Sequence, residues 1–217
     1  MTPAGLQSFK IPINPIFIAA LFHVSGAIGI IFGNSALFIS LTPLNLLIMF
    51  FLVIWTTPEW NMKSLFFFTL CYATGFLSEM IGVNTGMLFG SYRYGNILGP
   101  KISGVPLLIA INWFMVVYGS GHFISIMEKK IRVKLNLFSK IFIGASVCTI
   151  FDWIMEPAAI RLGFWKWSNP GIPVSNYITW FLLSALLIFV FEKCNFKKHS
   201  FTMYLLLIQT LFFLILR

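Results

Sequence analysis

Apolar runs of about bilayer length recur along this chain, near residues 15–32, 36–55, 64–82, 105–127, 137–157, 173–191 and 200–216. Hydrocarbon offers no water to a backbone N–H or C=O, so such runs are confined to helices that bond internally. At about 1.5 Å per residue, each can cross roughly 30 Å of hydrocarbon. Pro43 either starts or kinks the second run. The expected fold is all-α: a polytopic transmembrane helix bundle of about seven helices, forming a single integral membrane domain over residues 1–217. Composition agrees, since 59% of residues are hydrophobic and 10% charged, more apolar than a soluble core of this length needs.

The formal charge of +9 does not indicate nucleic acid, because the basic residues sit in short loops between apolar runs. There they read as topology determinants and contacts to lipid head groups. With seven crossings, one side holds Lys10, Lys63, Lys129, Lys130, Arg132, Lys134, Lys140, Lys193, Lys197 and Lys198, and the other Arg93, Lys101, Arg161, Lys166 and Arg217. The positive-inside rule then puts the amino terminus in the cytoplasm and the carboxyl terminus outside, and the expected location is the plasma (inner) membrane. The polar first dozen residues carry no signal-peptide pattern. Cys71, Cys148 and Cys194 are isolated and read as small packing residues.

One stretch of sequence occurs twice. Glu79 is followed eleven residues later by Gly90-Ser91-Tyr92-Arg93-Tyr94-Gly95-Asn96, then by Gly104-Val105-Pro106 and Trp113. Asp152 is followed eleven residues later by Gly163-Phe164-Trp165-Lys166-Trp167-Ser168-Asn169, then by Gly171-Ile172-Pro173 and Trp180. Aromatic-basic-aromatic alone is ordinary interface anchoring, and Gly-x-Pro alone an ordinary helix start. Only the piece between Asn and Gly-aliphatic-Pro differs, six residues longer in the first copy; the remaining shared spacings argue for an internal parallel repeat, with units at about 64–127 (helices three and four) and 137–192 (helices five and six). Both copies enter the membrane from the same side, so the two repeated loops are exoplasmic and a pseudo-two-fold axis runs along the membrane normal.

The carboxylates are the costliest part of this repeat. Of six in the chain, Glu59, Glu128 and Glu192 fall at helix ends or loops, whereas Glu79, Asp152 and Glu156 belong to the repeated units. An ionisable group inside a membrane helix costs several kcal/mol unless it faces protein or water, and its default reading is functional. Asp152 and Glu156 share a helix face if the helix continues to Pro157. Two or three carboxyls in a low-dielectric site cannot all stay ionised, and a carboxylic acid kept neutral is what acid catalysis on an unactivated substrate needs. The competing reading is structural: Glu79 or Asp152 hydrogen-bonded to Asn84, Asn112 or Asn176. Acid and base cannot be assigned within the symmetric pair.

Tyr92, Tyr94, Trp113, Trp165, Trp167 and Trp180 bring six electron-rich rings towards the same layer. Aromatic faces stabilise cations when water is excluded. A buried acid beside such a cage can protonate an alkene and hold the carbocation; the bland alternative is an interfacial aromatic belt. No P-loop, GxGxxG, GxSxG elbow or aspartate-rich diphosphate motif is present. His23, His122 and His199 have no metal-ligand spacing. His23 reads as a packing residue, and no metal or redox cofactor is expected, although a carboxylate-only site at Glu79, Asp152 and Glu156 is conceivable.

The segments Glu79 to Pro106 and Asp152 to Trp180 resemble the membrane carotenoid hydratases of the bisanhydrobacterioruberin and γ-carotene hydratase type. The resemblance covers roughly residues 64–192. Glu156 stands before Pro157 where the family pattern has Asp, which keeps the acid and lengthens its reach. The resemblance implies a carotenoid biosynthesis enzyme, a hydro-lyase that adds water to the terminal double bond of an acyclic carotenoid ψ-end without a cofactor. The substrate is then a carotenoid within the bilayer, with water as co-substrate and other carotenoid-pathway enzymes as neighbours. On the residues themselves, Glu79 or Asp152 would deliver the proton. The other carboxylate would hold the attacking water with Asn84, Asn112 or Asn176, while Tyr92, Tyr94, Trp113, Glu156, Trp165, Trp167 and Trp180 line the substrate. Two alternatives share these features: an acid-catalysed cyclisation of an isoprenoid end group, and a small proton-coupled transporter.

Overall fold

The computed structural model describes residues 14–217; Lys10 and the polar stretch around it lie outside them. The helices are α1 (Pro15–Phe32), α2 (Ser35–Ser40), α3 (Thr42–Thr56), α4 (Met62–Thr85), α5 (Leu107–Ile131), α6 (Leu137–Arg161), α7 (Val174–Cys194) and α8 (Ser200–Ile215). Four short strands lie between them: β1 (Tyr92–Tyr94), β2 (Lys101–Ile102), β3 (Val105–Pro106) and β4 (Trp165–Trp167). Asparagines start four helices: the side chains of Asn14, Asn34, Asn61 and Asn136 accept from the first free backbone N–H groups of α1, α2, α4 and α6. Pro106 and Pro173, the prolines of the two Gly-aliphatic-Pro elements, stand as the N-caps of α5 and α7.

The expected count of seven helices needs correction, because the described residues form eight. The second apolar run divides at Leu41, which ends α2 and caps α3. Pro43 has no N–H with which to extend the ladder of α2, so it opens a new helix instead. Five helices, α1 and α4 to α7, are long and apolar enough to cross a membrane, while α3 and α8 are shorter apolar helices. Pro157 does not end its helix: α6 runs on to Arg161, so Asp152 and Glu156 share one continuous helix.

Helix α5 is the centre of the bundle, buried along most of its length and touched by α3, α4, α6, α7 and α8. Gly75 on α4 permits a close approach, since a Cβ there would fall 2.6 Å from the Trp113 ring on α5. The outer faces carry Phe17, Phe51, Phe66, Phe138 and Leu182, all exposed. So much contiguous apolar surface suits lipid rather than water.

Both repeated loops lie at one end of the bundle and pair with each other. β1 and β4 run antiparallel, with Tyr92 opposite Trp167, Arg93 opposite Lys166 and Tyr94 opposite Trp165. Alternation in the strands turns the four aromatic side chains inward and Arg93 and Lys166 outward. Gly95 is required where the loops touch: its N–H donates to Phe164 O at 2.8 Å, and a Cβ would sit 2.1 Å from Gly163 O. β2 and β3 form a separate small hairpin. At the opposite end, Lys140 bridges Glu128 at 2.9 Å and Glu192 at 3.0 Å, and Lys197 pairs with Glu59.

Candidate active site

Three carboxyl groups converge beneath the paired loops. Glu79 comes from α4, and Asp152 and Glu156 from α6; all three are at least 96% buried, with 4%, 1% and 2% exposure. They line one cavity with Tyr92, Tyr94, Trp165, Trp167, Asn176, Trp180, Phe89, Ile109 and Met155. The cavity measures about 20 Å³, above the ~10–15 Å³ that one water requires. No Lys or Arg lines it.

The carboxyls are solvated unequally. Glu79 accepts three side-chain hydrogen bonds: from the Tyr92 and Tyr94 hydroxyls at Oε2, the latter at 2.7 Å, and from Trp113 Nε1 at Oε1, at 3.0 Å. Burial first and the adjacent Glu79 carboxyl second push both phenols well above the ordinary tyrosine range, so both remain O–H donors. Glu156 Oε2 accepts from Trp165 Nε1 at 3.0 Å and Trp167 Nε1 at 3.1 Å. Asp152 receives one neutral donor, the Asn176 amide, at 2.7 Å.

The two similar sequence segments use their aromatic donors on non-corresponding carboxyls. Tyr92 and Tyr94 address the carboxylate eleven residues before Gly90, but their counterparts Trp165 and Trp167 address Glu156 rather than Asp152. Tryptophan puts its donor nitrogen nearer the backbone than tyrosine puts its hydroxyl, and Glu156 lies one turn closer to that loop. Trp180 makes no bond to Asp152; it stacks on Trp113 with centroids 3.8 Å apart and planes 7° from parallel.

Of the expected site residues, Glu79, Tyr92, Tyr94, Asp152, Glu156, Trp165, Trp167, Asn176 and Trp180 meet at this cavity, and Trp113 reaches it through Glu79. The structure places Asn84 and Asn112 elsewhere. Asn84 is exposed and donates to Met80 O and Ser103 O, tying α4 to the β2–β3 turn. Asn112 lines a separate cavity. Phe89, Ile109 and Met155 were missed by sequence reasoning. Ile109 was detectable, since it occupies the place in the first repeat, four residues before Trp113, that Asn176 occupies before Trp180. Among the described residues no group of three or more His, Cys, Asp or Glu side chains is gathered to hold a metal ion.

A buried triad of acids with an aromatic wall has the chemistry for proton transfer to an apolar molecule. The family model described as "Carotenoid biosynthesis protein" matches residues 40–216. The chain belongs to the carotenoid biosynthesis protein family. Among curated proteins, this family member is 27% identical over 120 residues to the bisanhydrobacterioruberin hydratase of Haloarcula japonica. The match covers 52% of this chain and 40% of that relative's length. No solved structure matches. This carotenoid biosynthesis protein is thus a helical membrane protein of a carotenoid-modifying family.

Proposed function

We propose that this protein hydrates the terminal carbon–carbon double bond of an acyclic carotenoid ψ-end, and that Asp152 is its acid. The observation that carries the reading is the unequal solvation of three buried carboxyls beside stacked aromatic rings. Glu79, with both oxygens accepting from O–H and N–H donors, is held as the carboxylate. Asp152, with a single amide donor, is the group that carries the mobile proton.

The step balances without a cofactor. The π pair of the alkene takes the proton from Asp152 at the less substituted carbon. The positive charge develops at the carbon bearing two methyls, against the Tyr92, Trp165 and Trp167 rings and the fixed Glu79 anion. Water adds its oxygen there and loses a proton to Glu156, one helical turn from Asp152, from which the proton returns to Asp152. The resident space of one water fits this co-substrate, and the wall around Phe89 has to open for the polyene end.

The same reading extends to topology. We infer an internal duplication, supported by the antiparallel pairing of β1 with β4 about Arg93 and Lys166 and by the Trp113–Trp180 stack, both of which a two-fold axis generates. The chain forms one membrane domain with seven crossings, α2 and α3 together making the second. The ion-paired, lysine-rich end is cytoplasmic and the paired loops are exoplasmic in the plasma membrane. The carotenoid enters laterally from lipid, delivered by other enzymes of carotenoid synthesis.

Expression in a host accumulating lycopene, beside Asp152→Asn, tests the reading. A pigment heavier by one water, absent with Asp152→Asn, is expected. A pigment of altered retention but unchanged mass would indicate cyclisation instead.

A further inference from the structure

A second cavity of about 200 Å³ lies behind the acid site, between α1, α2, α3, α5 and α8. The two are back to back across single residue steps. On α5, Trp113 reaches Glu79 while Asn112 lines the second cavity; beside β4, Trp165 lines the first while Phe164 lines the second. Its walls are apolar, with Ile30, Phe38, Leu46 and Phe212 among them. Its lining also includes buried polar residues: His23 and Gln209 are each 4% exposed and Asn112 7%.

The hydrogen-bonding inventory of these polar residues is specific. His23 Nδ1 lies 2.7 Å from Ala19 O; a carbonyl only accepts, so Nδ1 carries the hydrogen and Nε2 is left as an acceptor. Asn45, also on the lining, has an Oδ1 that is buried and has no partner. Among the described residues, neither the Asn112 nor the Gln209 amide has a hydrogen-bond partner. Asn45 Oδ1 therefore awaits a donor, and His23 Nε2 is free to accept from one, next to amides that can donate. Polar groups left this way in an apolar interior are costly, and they are tolerated where a ligand or water completes them.

We propose that this cavity binds the hydroxyl-bearing end of a long apolar molecule, an isoprenoid alcohol. A hydrocarbon end offers nothing to His23 Nε2 or Asn45 Oδ1, and a ketone or ether has no hydrogen to give them. An alcohol donates to one of these acceptors and accepts from an amide. At about 200 Å³ the space is below the ~300–1,000 Å³ of sites that enclose a whole drug-sized ligand, so it holds an end group while the chain extends into lipid. The proposal deepens the hydration reading, which it rests on for the choice of an isoprenoid: a newly formed tertiary alcohol has a polar receptor whose Asn112 adjoins Trp113, the donor to Glu79.

The test uses the full chain in lipid nanodiscs, titrated with a hydroxylated acyclic carotenoid and with its parent hydrocarbon, in wild type, Gln209→Leu, His23→Phe and Glu79→Gln. The alcohol should bind at least about fivefold more tightly than the hydrocarbon, the worth of one net hydrogen bond. Gln209→Leu and His23→Phe should each erase most of that preference, while Glu79→Gln keeps it. Equal binding of alcohol and hydrocarbon to wild type would overturn the proposal and indicate a lipid-chain groove. Loss of the preference in Glu79→Gln but not in the cavity variants would overturn it too, by locating the alcohol at the acids. A preference that follows the cavity variants, in a protein that adds no water to any ψ-end, would sustain the alcohol site and remove the hydration reading.

Discussion

Removing one hydroxyl from Glu79's shell separates an ionised carboxylate from a protonated one. Tyr94→Phe deletes the O–H that donates to Glu79 Oε2 at 2.7 Å and keeps the ring that packs 5.6 Å from Tyr92 and 6.0 Å from Trp165. No cavity opens, so the change isolates the bond. A hydrogen bond to a charged group contributes about 1.5–3 kcal/mol, against about 0.5–1.5 for a neutral pair. For a chain of this size, a loss of about 2 kcal/mol lowers the melting temperature by roughly 4–8 °C. In a Glu79→Gln background the same deletion removes only a neutral bond, and the shift should shrink to about half. The assay is a four-protein thermal-unfolding cycle in detergent. Equal shifts from Tyr94→Phe in both backgrounds would refute the ionised Glu79 and with it the assignment of Asp152 as acid.

Other outcomes follow from the same geometry. Gly75→Ala drives a Cβ to 2.6 Å from Trp113, and the displaced indole should cost Glu79 a donor; we expect poor folding yield and lost water addition, read by size-exclusion profile and pigment analysis. Gly95→Ala should unpair the loops, because the 2.1 Å approach to Gly163 O leaves no room for a methyl, and limited proteolysis between residues 86 and 104 should accelerate. Glu156→Gln, which still accepts from both indoles, should fold normally and slow turnover by about 10²–10⁴-fold if Glu156 takes the proton from water. His199, whose Nε2 lies 2.9 Å from Thr56 Oγ1, is held by burial at about 4 against an ordinary 6.5. The unfolded chain then takes up a proton that the folded one refuses, so stability is full above pH 6.5 and falls towards pH 4, by up to about 1.4 kcal/mol per pH unit; His199→Asn should flatten that fall in a denaturation series.

What could be read from the sequence was set by repetition and periodicity. The carboxylate and the aromatic-basic-aromatic triplet recur at equal spacing, and the tryptophan recurs nine residues after Gly104 and Gly171; of these residues Tyr92 and Tyr94 meet Glu79, β1 pairs with β4, and Trp113 stacks on Trp180. The second copy's displacement onto Glu156 was hidden because it depends on how far an indole N–H reaches compared with a phenol. It also required α6 to run through Pro157, which a proline in sequence argues against. The fates of Asn84 and Asn112 were illegible for a simpler reason. Adjacent helical residues point about 100° apart, so Asn112 faces away from the site that its neighbour Trp113 serves, and no local pattern says which neighbour is inward. The break at Leu41 was foreshadowed by Pro43, but a kink and a fresh start look alike until the preceding turn is seen.

The most direct test of the central claim is to supply membranes containing this protein with an acyclic carotenoid in water enriched in the heavy oxygen isotope and to weigh the product. The hydration account predicts a pigment that gains one water carrying the heavy isotope, at the end carbon bearing two methyls, and no such product from Asp152→Asn. A product of unchanged mass, or one whose oxygen is not labelled by the water, would contradict it.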